Sequence, residues 1–149
     1  MEKNTLRVII LTRNFGTQHG VSGKRVLDIA NALSKRGMLV EIIAKAGCVS
    51  DIPSSAFSVE MYTEKVNHNN ISKLMKKVRK LYHGEIGNSE FESLDHISIS
   101  RAILKKVKNE KFVLISSAPP FEVHKIASKI KNICGKRCNW VADFRDQPL

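Results

Sequence analysis

Acidic residues are scarce in this 149-residue sequence, with 14 Asp+Glu against 25 Lys+Arg and a formal charge of +11. Aromatic residues make up only 6%, and cysteine is confined to Cys48, Cys134 and Cys138. An odd set of thiols without a CxxC pair excludes a disulfide scaffold and suits a reducing compartment. Cys134 and Cys138 lie four apart, but no second pair of Cys or His with ligand spacing completes a zinc site, so no metal is expected. Apolar runs such as Val8 to Leu11 fall far short of the ~20 residues a bilayer-spanning helix needs. Met1-Glu2-Lys3-Asn4-Thr5 leads straight into a strand-like run, without the apolar region of a signal peptide. The expectation is one basic globular domain over residues 1–149, cytoplasmic, and long enough to bury roughly 70% of its unfolded surface.

What is present alternates between two patterns. Leu6 to Thr12 is a nearly unbroken aliphatic and β-branched run, as in a strand covered on both faces of a parallel sheet. A loop carrying Gly16, Gly20 and Gly23 follows. Val26, Leu27, Ile29, Ala30 and Leu33 then recur at helical spacing, with Ser22 as the expected cap and Gly37 as the left-handed stop. Met38 to Ala44 reads as a second buried strand, completing a βαβ unit. Lys45 to Ser58 has no sustained period, and Val59 to Thr63 reads as a short edge strand. Ile71, Leu74, Met75, Val78, Leu81 and Tyr82 form the apolar stripe of a basic amphipathic helix. Ile97 to Val107 is another helix, Phe112 to Ser116 a strand, Val123 to Ile133 a helix ending at Gly135, and Asn139 to Phe144 a last strand. The pattern predicts an α/β, Rossmann-like doubly wound parallel sheet with helices on both faces. The stop at Leu149, just past a strand end, suggests a domain cut from a longer protein.

Ligands of open α/β sheets bind beyond the carboxyl ends of the strands. The segment Asn14 to Gly23 brings glycines to a helix N-terminus, where free N–H groups and the helix dipole attract phosphate. Its spacing is not GxGxxG, and the second strand ends in Ala44-Lys45 without the acidic residue that holds a ribose, which disfavours a nicotinamide dinucleotide. Gly23-Lys24-Arg25 lacks the Ser or Thr of a P-loop. Ser117-Ala118-Pro119-Pro120-Phe121 is a rigid loop of mostly small residues after a strand. Asp143-Phe144-Arg145-Asp146 sets two carboxylates around an arginine at a strand exit, either an ion-paired corner or a polar ligand site. Arg145 can pair tightly with only one of them; Asp143, still on the strand, is expected to be the unpaired, ligand-facing one. His19 is a possible proton carrier, whereas His124 reads as an exposed helical residue. GxSxG is absent, and no Ser-His-Asp or Cys-His nucleophile can be assembled from spacing.

The string GVSGKRVLDIANALSKRGMLVEIIA, Gly20 to Ala44, resembles the opening of glycosyltransferase family 4 N-terminal domains. FVLISSAPPFEVHKIASKI and WVADFRDQPL resemble a branch of that family with an S-x-P-P segment and a DFRDPW-like strand end. The resemblance covers Leu6 to Ala44 and Phe112 to Leu149. It implies a two-domain GT-B glycosyltransferase in which this half offers the acceptor, while a C-terminal donor-binding half, absent from this chain, grips a UDP- or GDP-sugar. It further implies retained anomeric configuration, with the leaving phosphate helping to deprotonate the acceptor hydroxyl, and no other cofactor. On this reading Gly16, His19, Gly20, Gly23, Ser117, Pro119 and Arg145 bind donor phosphate or substrate. Many members carry a His after the strand corresponding to Phe112–Ser116. Its absence here moves attention to Asp143 and Asp146 as the catalytic carboxylates. The acceptor would be a polysaccharide, a lipid-linked glycan or another glycoconjugate, and the chain alone would be inactive.

A different class of reading makes the chain a basic binding module. Lys73, Lys76, Lys77, Arg79 and Lys80 flank the apolar stripe of the Ile71–Tyr82 helix, a composition suited to the anionic inner face of a membrane. Nucleic acid is the weaker partner, since no RNP-like or helix-turn-helix signature accompanies the charge.

Overall fold

The computed structural model describes residues 5–47, 49, 56–62, 96–118 and 121–144. The basic segment with Lys73, Lys76, Lys77, Arg79 and Lys80 lies outside the described residues, as do Pro119, Arg145 and Asp146.

Five strands make one all-parallel sheet in the order β3-β2-β1-β4-β5. They are β1 (Arg7–Thr12), β2 (Leu39–Lys45), β3 (Ser58–Tyr62), β4 (Phe112–Ser117) and β5 (Cys138–Asp143). Among the described residues three helices accompany them: α1 (Gly20–Lys35), α2 (His96–Val107) and α3 (Glu122–Cys134). The fold is an α/β, Rossmann-like doubly wound sheet.

The central strand is apolar from Val8 to Leu11 because both of its faces are covered there. Val8 and Ile10, with Val40, Ile42 and Ala44 of β2, pack under Val26, Leu27 and Ala30 of α1. Ile9 and Leu11, with Phe112 and Leu114 of β4, face Ile99, Ile103 and Val107 of α2 and Val123, Ile126, Ala127 and Ile130 of α3. A strand side chain that alternates sides at each residue thus serves two separate cores. Gly37 stops α1 as the sequence suggested, with φ +79 and its N–H on the carbonyl of Ser34 at 2.9 Å.

Ser22 does not cap α1. The helix begins at Gly20 with His19 in the capping position and no side-chain cap bond. Ser22 sits inside the first turn, where its hydroxyl donates back to the carbonyl of His19 at 3.1 Å. The glycine φ of +66 at position 20 lets the chain enter the helix two residues ahead of Ser22.

Glu41 of β2 is a buried acidic residue, at 7% exposure, on the face shared with Ile9. It is held by Arg7 and by Lys106 of α2 at 3.1 Å, and Lys106 also reaches Glu60 of β3 at 2.9 Å. The hydrogen bonds to Glu60 and Glu41 raise the Lys106 pKa above its ordinary value, against the opposing pull of burial. A buried carboxylate survives here because two cations answer it.

Candidate functional site

The strand order reverses between β1 and β4, the switch point where open α/β sheets leave a crevice beyond their carboxyl ends. Two segments border it, the loop from Arg13 to His19 and the chain leaving β4 at Ala118. The first is anchored by Phe15, which is fully buried, pairs with Val49 and meets the Phe57 ring edge-on at 5.8 Å. Sequence patterning placed Phe15 merely in a loop; its anchoring depends on residues more than thirty positions away.

Beyond Phe15 the backbone takes conformations that only glycine adopts easily. Gly16 has φ 102, ψ 172 and Gly20 φ 66, ψ −159, in the region where a side chain costs about 1–3 kcal/mol. Gly23 is required for a different reason: a Cβ there would stand 2.3 Å from the Gly16 carbonyl oxygen. The loop and the first turn of α1 are thus pressed backbone to backbone. The result is a helix N-terminus without a side-chain cap and without an acidic residue in its first turn, followed at once by Lys24 and Arg25. Positive side chains at the positive end of a helix dipole are unfavourable unless an anion answers them.

Part of that answer is internal. Thr12, Ser117 and Asp143 lie in register across β1, β4 and β5 as the last residue of each strand. Asp143 reaches α1, where Arg25 Nη2 donates to Oδ1 at 2.6 Å. Ser117 Oγ donates to Oδ2 at 2.9 Å, and the Ala118 N–H donates to the Asp143 carbonyl at 3.1 Å. The Asp143 side chain is about 10% exposed and Arg25 about half exposed. This corrects the expectation that Asp143 is the unpaired carboxylate of its segment: both of its oxygens are engaged, by partners 26 and 118 residues distant. It is an orienting group for Arg25 rather than a free base.

His124 is the second correction. It is buried, at 7% exposure, because the first turn of α3 presses it against the end of β4. Its Nδ1 lies 2.7 Å from Ser116 Oγ, which also accepts from the Trp140 indole N–H at 2.8 Å. Burial lowers its pKa below the ordinary histidine value, while the charge of Asp143 partly opposes the shift, so the ring is neutral at pH 7. The arrangement is no nucleophile triad, since Ser116 is itself fully buried and the Asp143 oxygens face Arg25 and Ser117. Helical periodicity concealed His124 because it lies on the flank of the α3 stripe.

Cys134 and Cys138 are free, buried thiols. Among the described residues, no group of three His, Cys, Asp or Glu side chains could hold a metal ion, and no helix is long and apolar enough to cross a membrane. The structure therefore brings together Gly16, His19, Gly20 and Gly23 on one side of the crevice and Ser117 with Asp143 on the other, bridged by Arg25. Comparison with models of known protein families, with curated proteins and with solved structures finds no match.

Proposed function

We propose that this chain is the Rossmann-like, acceptor-side domain of a sugar-nucleotide-dependent glycosyltransferase of GT-B architecture. The observation that carries the reading is the uncapped N-terminus of α1, reached through Gly16 and Gly20 and flanked by an Arg25 that Asp143 holds in place. Such an arrangement suits a nucleoside diphosphate, whose charge grows as the glycosidic C–O bond breaks. The acceptor hydroxyl oxygen takes the anomeric carbon, its proton passes to the departing phosphate, and the N–H groups of α1 with Arg25 stabilise the negative charge left behind. Asp143 is then a positioning residue. The resemblance of Leu6–Ala44 and Phe112–Leu149 to glycosyltransferase family 4 supports the same reading, and implies a donor-binding domain that must close on this one to hold both reactants in register.

Two measurements test it. Titration of the purified chain with UDP and GDP, followed by amide resonances, should move Gly16, Gly20 and Gly23, and less so in Arg25→Ala. The full-length gene product should transfer labelled sugar from a UDP- or GDP-sugar to a glycan or lipid extract, whereas the 149-residue chain should not. No transfer from any donor by the full-length product, or turnover by this chain alone, overturns the proposal.

A further inference from the structure

The helices on the two faces of the sheet turn different surfaces outward. α2 and α3 pack against each other over the face that holds Ile9 and Leu11, while α1 covers the face that holds Val8 and Ile10. On α2 the exposed positions recur about one turn apart, at Ile97, Arg101, Lys105 and, just past the helix end, Lys108. On α3 they are Lys125, Lys129 and Ile133, with Phe121 in the capping position. Residues three and four apart share one side of a helix, so each helix presents a single outward stripe. Every charged residue of the two stripes is a cation. Ile97 is 64% exposed and Ile133 62%, so large apolar side chains stand among the positive charges.

The spacing works against the helices that carry it. Arg101 with Lys105, and Lys125 with Lys129, are like charges four residues apart, an arrangement that weakens a helix. Glu122 meets Lys125 at 4.0 Å, but its side chain is only 12% exposed and does little for the outer surface. α1 is built differently: Asp28 stands four residues after Lys24, the favourable combination of signs, and Arg25 is taken by Asp143. Other cations of the α2–α3 layer turn inward. Lys106 goes to Glu41 and Glu60, and Lys131 donates to the carbonyls of Gly135 and Cys138 at 2.9 and 2.7 Å. The layer thus sorts its cations into those that brace the fold and those that charge one face of it.

We propose that the outer face of α2 and α3 is a docking surface for an anionic phospholipid bilayer. Its charge is complementary to acidic headgroups, and a membrane interface accepts both the cations and the apolar side chains between them. A nucleic acid would answer Arg101, Lys105, Lys125 and Lys129 through its phosphates but offers little to Ile97 and Ile133. An open depression of about 430 Å³, lined by His124, Lys125, Ser128 and Lys129, recesses this stretch of α3 enough to seat a headgroup. With both helices lying on the bilayer, the sheet runs parallel to the membrane, and the crevice at its carboxyl edge opens along the surface. The inference stands independently of the glycosyltransferase reading and of the basic segment with Lys73 and Lys80.

Co-sedimentation of the purified chain with vesicles tests it. Vesicles of phosphatidylcholine with about one third phosphatidylglycerol should bind the chain at low salt, release most of it at high salt, and bind far more than pure phosphatidylcholine. Each cation at such a surface strengthens adsorption roughly fivefold, so Lys125→Gln/Lys129→Gln should weaken binding by about tenfold or more. Lys35→Gln/Arg36→Gln removes the same charge from the α1 side and should change it less than about twofold. Ile97→Ser/Ile133→Ser should reduce the binding that survives high salt. All the substituted positions are exposed, and circular dichroism confirms that each variant is folded. No binding to anionic vesicles, equal losses from the α1 and α3 pairs, or loss only when Lys73, Lys76, Lys77, Arg79 and Lys80 are made Gln overturns the docking surface. Tighter binding to duplex DNA at matched phosphate concentration, lost in Lys125→Gln/Lys129→Gln, would assign the face to nucleic acid and overturn it as well.

Discussion

Arg25 and Asp143, 118 positions apart, close a 2.6 Å ion pair that ties the first helix to the last strand. The carboxylate is nearly buried and the guanidinium half exposed, so the two partners do not contribute equally. Truncating Asp143 removes a partner from both Arg25 and the Ser117 hydroxyl, whereas truncating Arg25 leaves the carboxylate its bond to Ser117. Asp143→Ala should therefore lower unfolding free energy by about 2–3 kcal/mol and Arg25→Ala by about 1–2 kcal/mol. Urea denaturation of both singles and the double should give a coupling of roughly 1 kcal/mol that shrinks in high salt. Equal single losses with no coupling would remove the orienting role given to Asp143.

The glycines of the loop should separate by mechanism. Gly23→Ala drives a Cβ to 2.3 Å from a backbone oxygen, and the adjoining loop must shift to admit it. Gly20→Ala meets nothing within 4 Å but must hold φ +66. The first should cost about 3 kcal/mol or more and perturb the amides of Gly16 and His19; the second should cost about 1–3 kcal/mol with local changes only. Thermal unfolding with an amide spectrum of each variant checks the contrast.

Burial lowers the His124 pKa from the ordinary 6.5. Between that value and the lower folded-state one, the unfolded chain binds the extra proton, so stability rises with pH across the window. The protein should be at full stability above about pH 6.5 with respect to this group, and lose stability as pH falls through the folded-state value. Melting temperatures from pH 7.5 to 4.5 should decline less steeply in His124→Gln than in the unaltered chain. Parallel curves would show that the ring carries no such linkage.

Burial, with the neighbouring Cys134 adding to it and the Lys131 ammonium opposing, pushes the Cys138 thiol up to about 11. Thiolate is the reactive form, so iodoacetamide at pH 8 should leave Cys138 unmodified in folded protein and label it in urea. Peptide-level mass spectrometry reads this site by site. Rapid labelling of Cys138 in the folded chain would contradict its burial.

Much of the frame was legible from local pattern. The runs Leu6–Thr12, Met38–Ala44, Phe112–Ser116 and Asn139–Phe144 each anticipate a strand within a residue of its bounds, most directly at β1, where a strand covered on both faces is apolar from Val8 to Leu11. Gly37 and Gly135 ended their helices as expected, both at positive φ. The site was less legible, because its defining bonds join distant segments. Nothing near Asp143 in sequence announces Arg25, and nothing near His124 announces that Trp140 reaches the same Ser116 hydroxyl. Ser22 misled because its residue type is that of a helix cap, while the positive-φ Gly20 starts the helix ahead of it.

The centre of the sheet sets a constraint on how the chain is born. β1 is the third strand in space but the first in sequence, and its partner on one side, Phe112 opposite Arg7, arrives only some 105 residues later. At roughly 5–20 residues per second of synthesis, the open edge of β1 waits several seconds beside a growing polypeptide before β4 leaves the ribosome to cover it. During that interval β1, α1 and β2 can assemble as a βαβ unit with one apolar face bare, a natural client for a holdase chaperone.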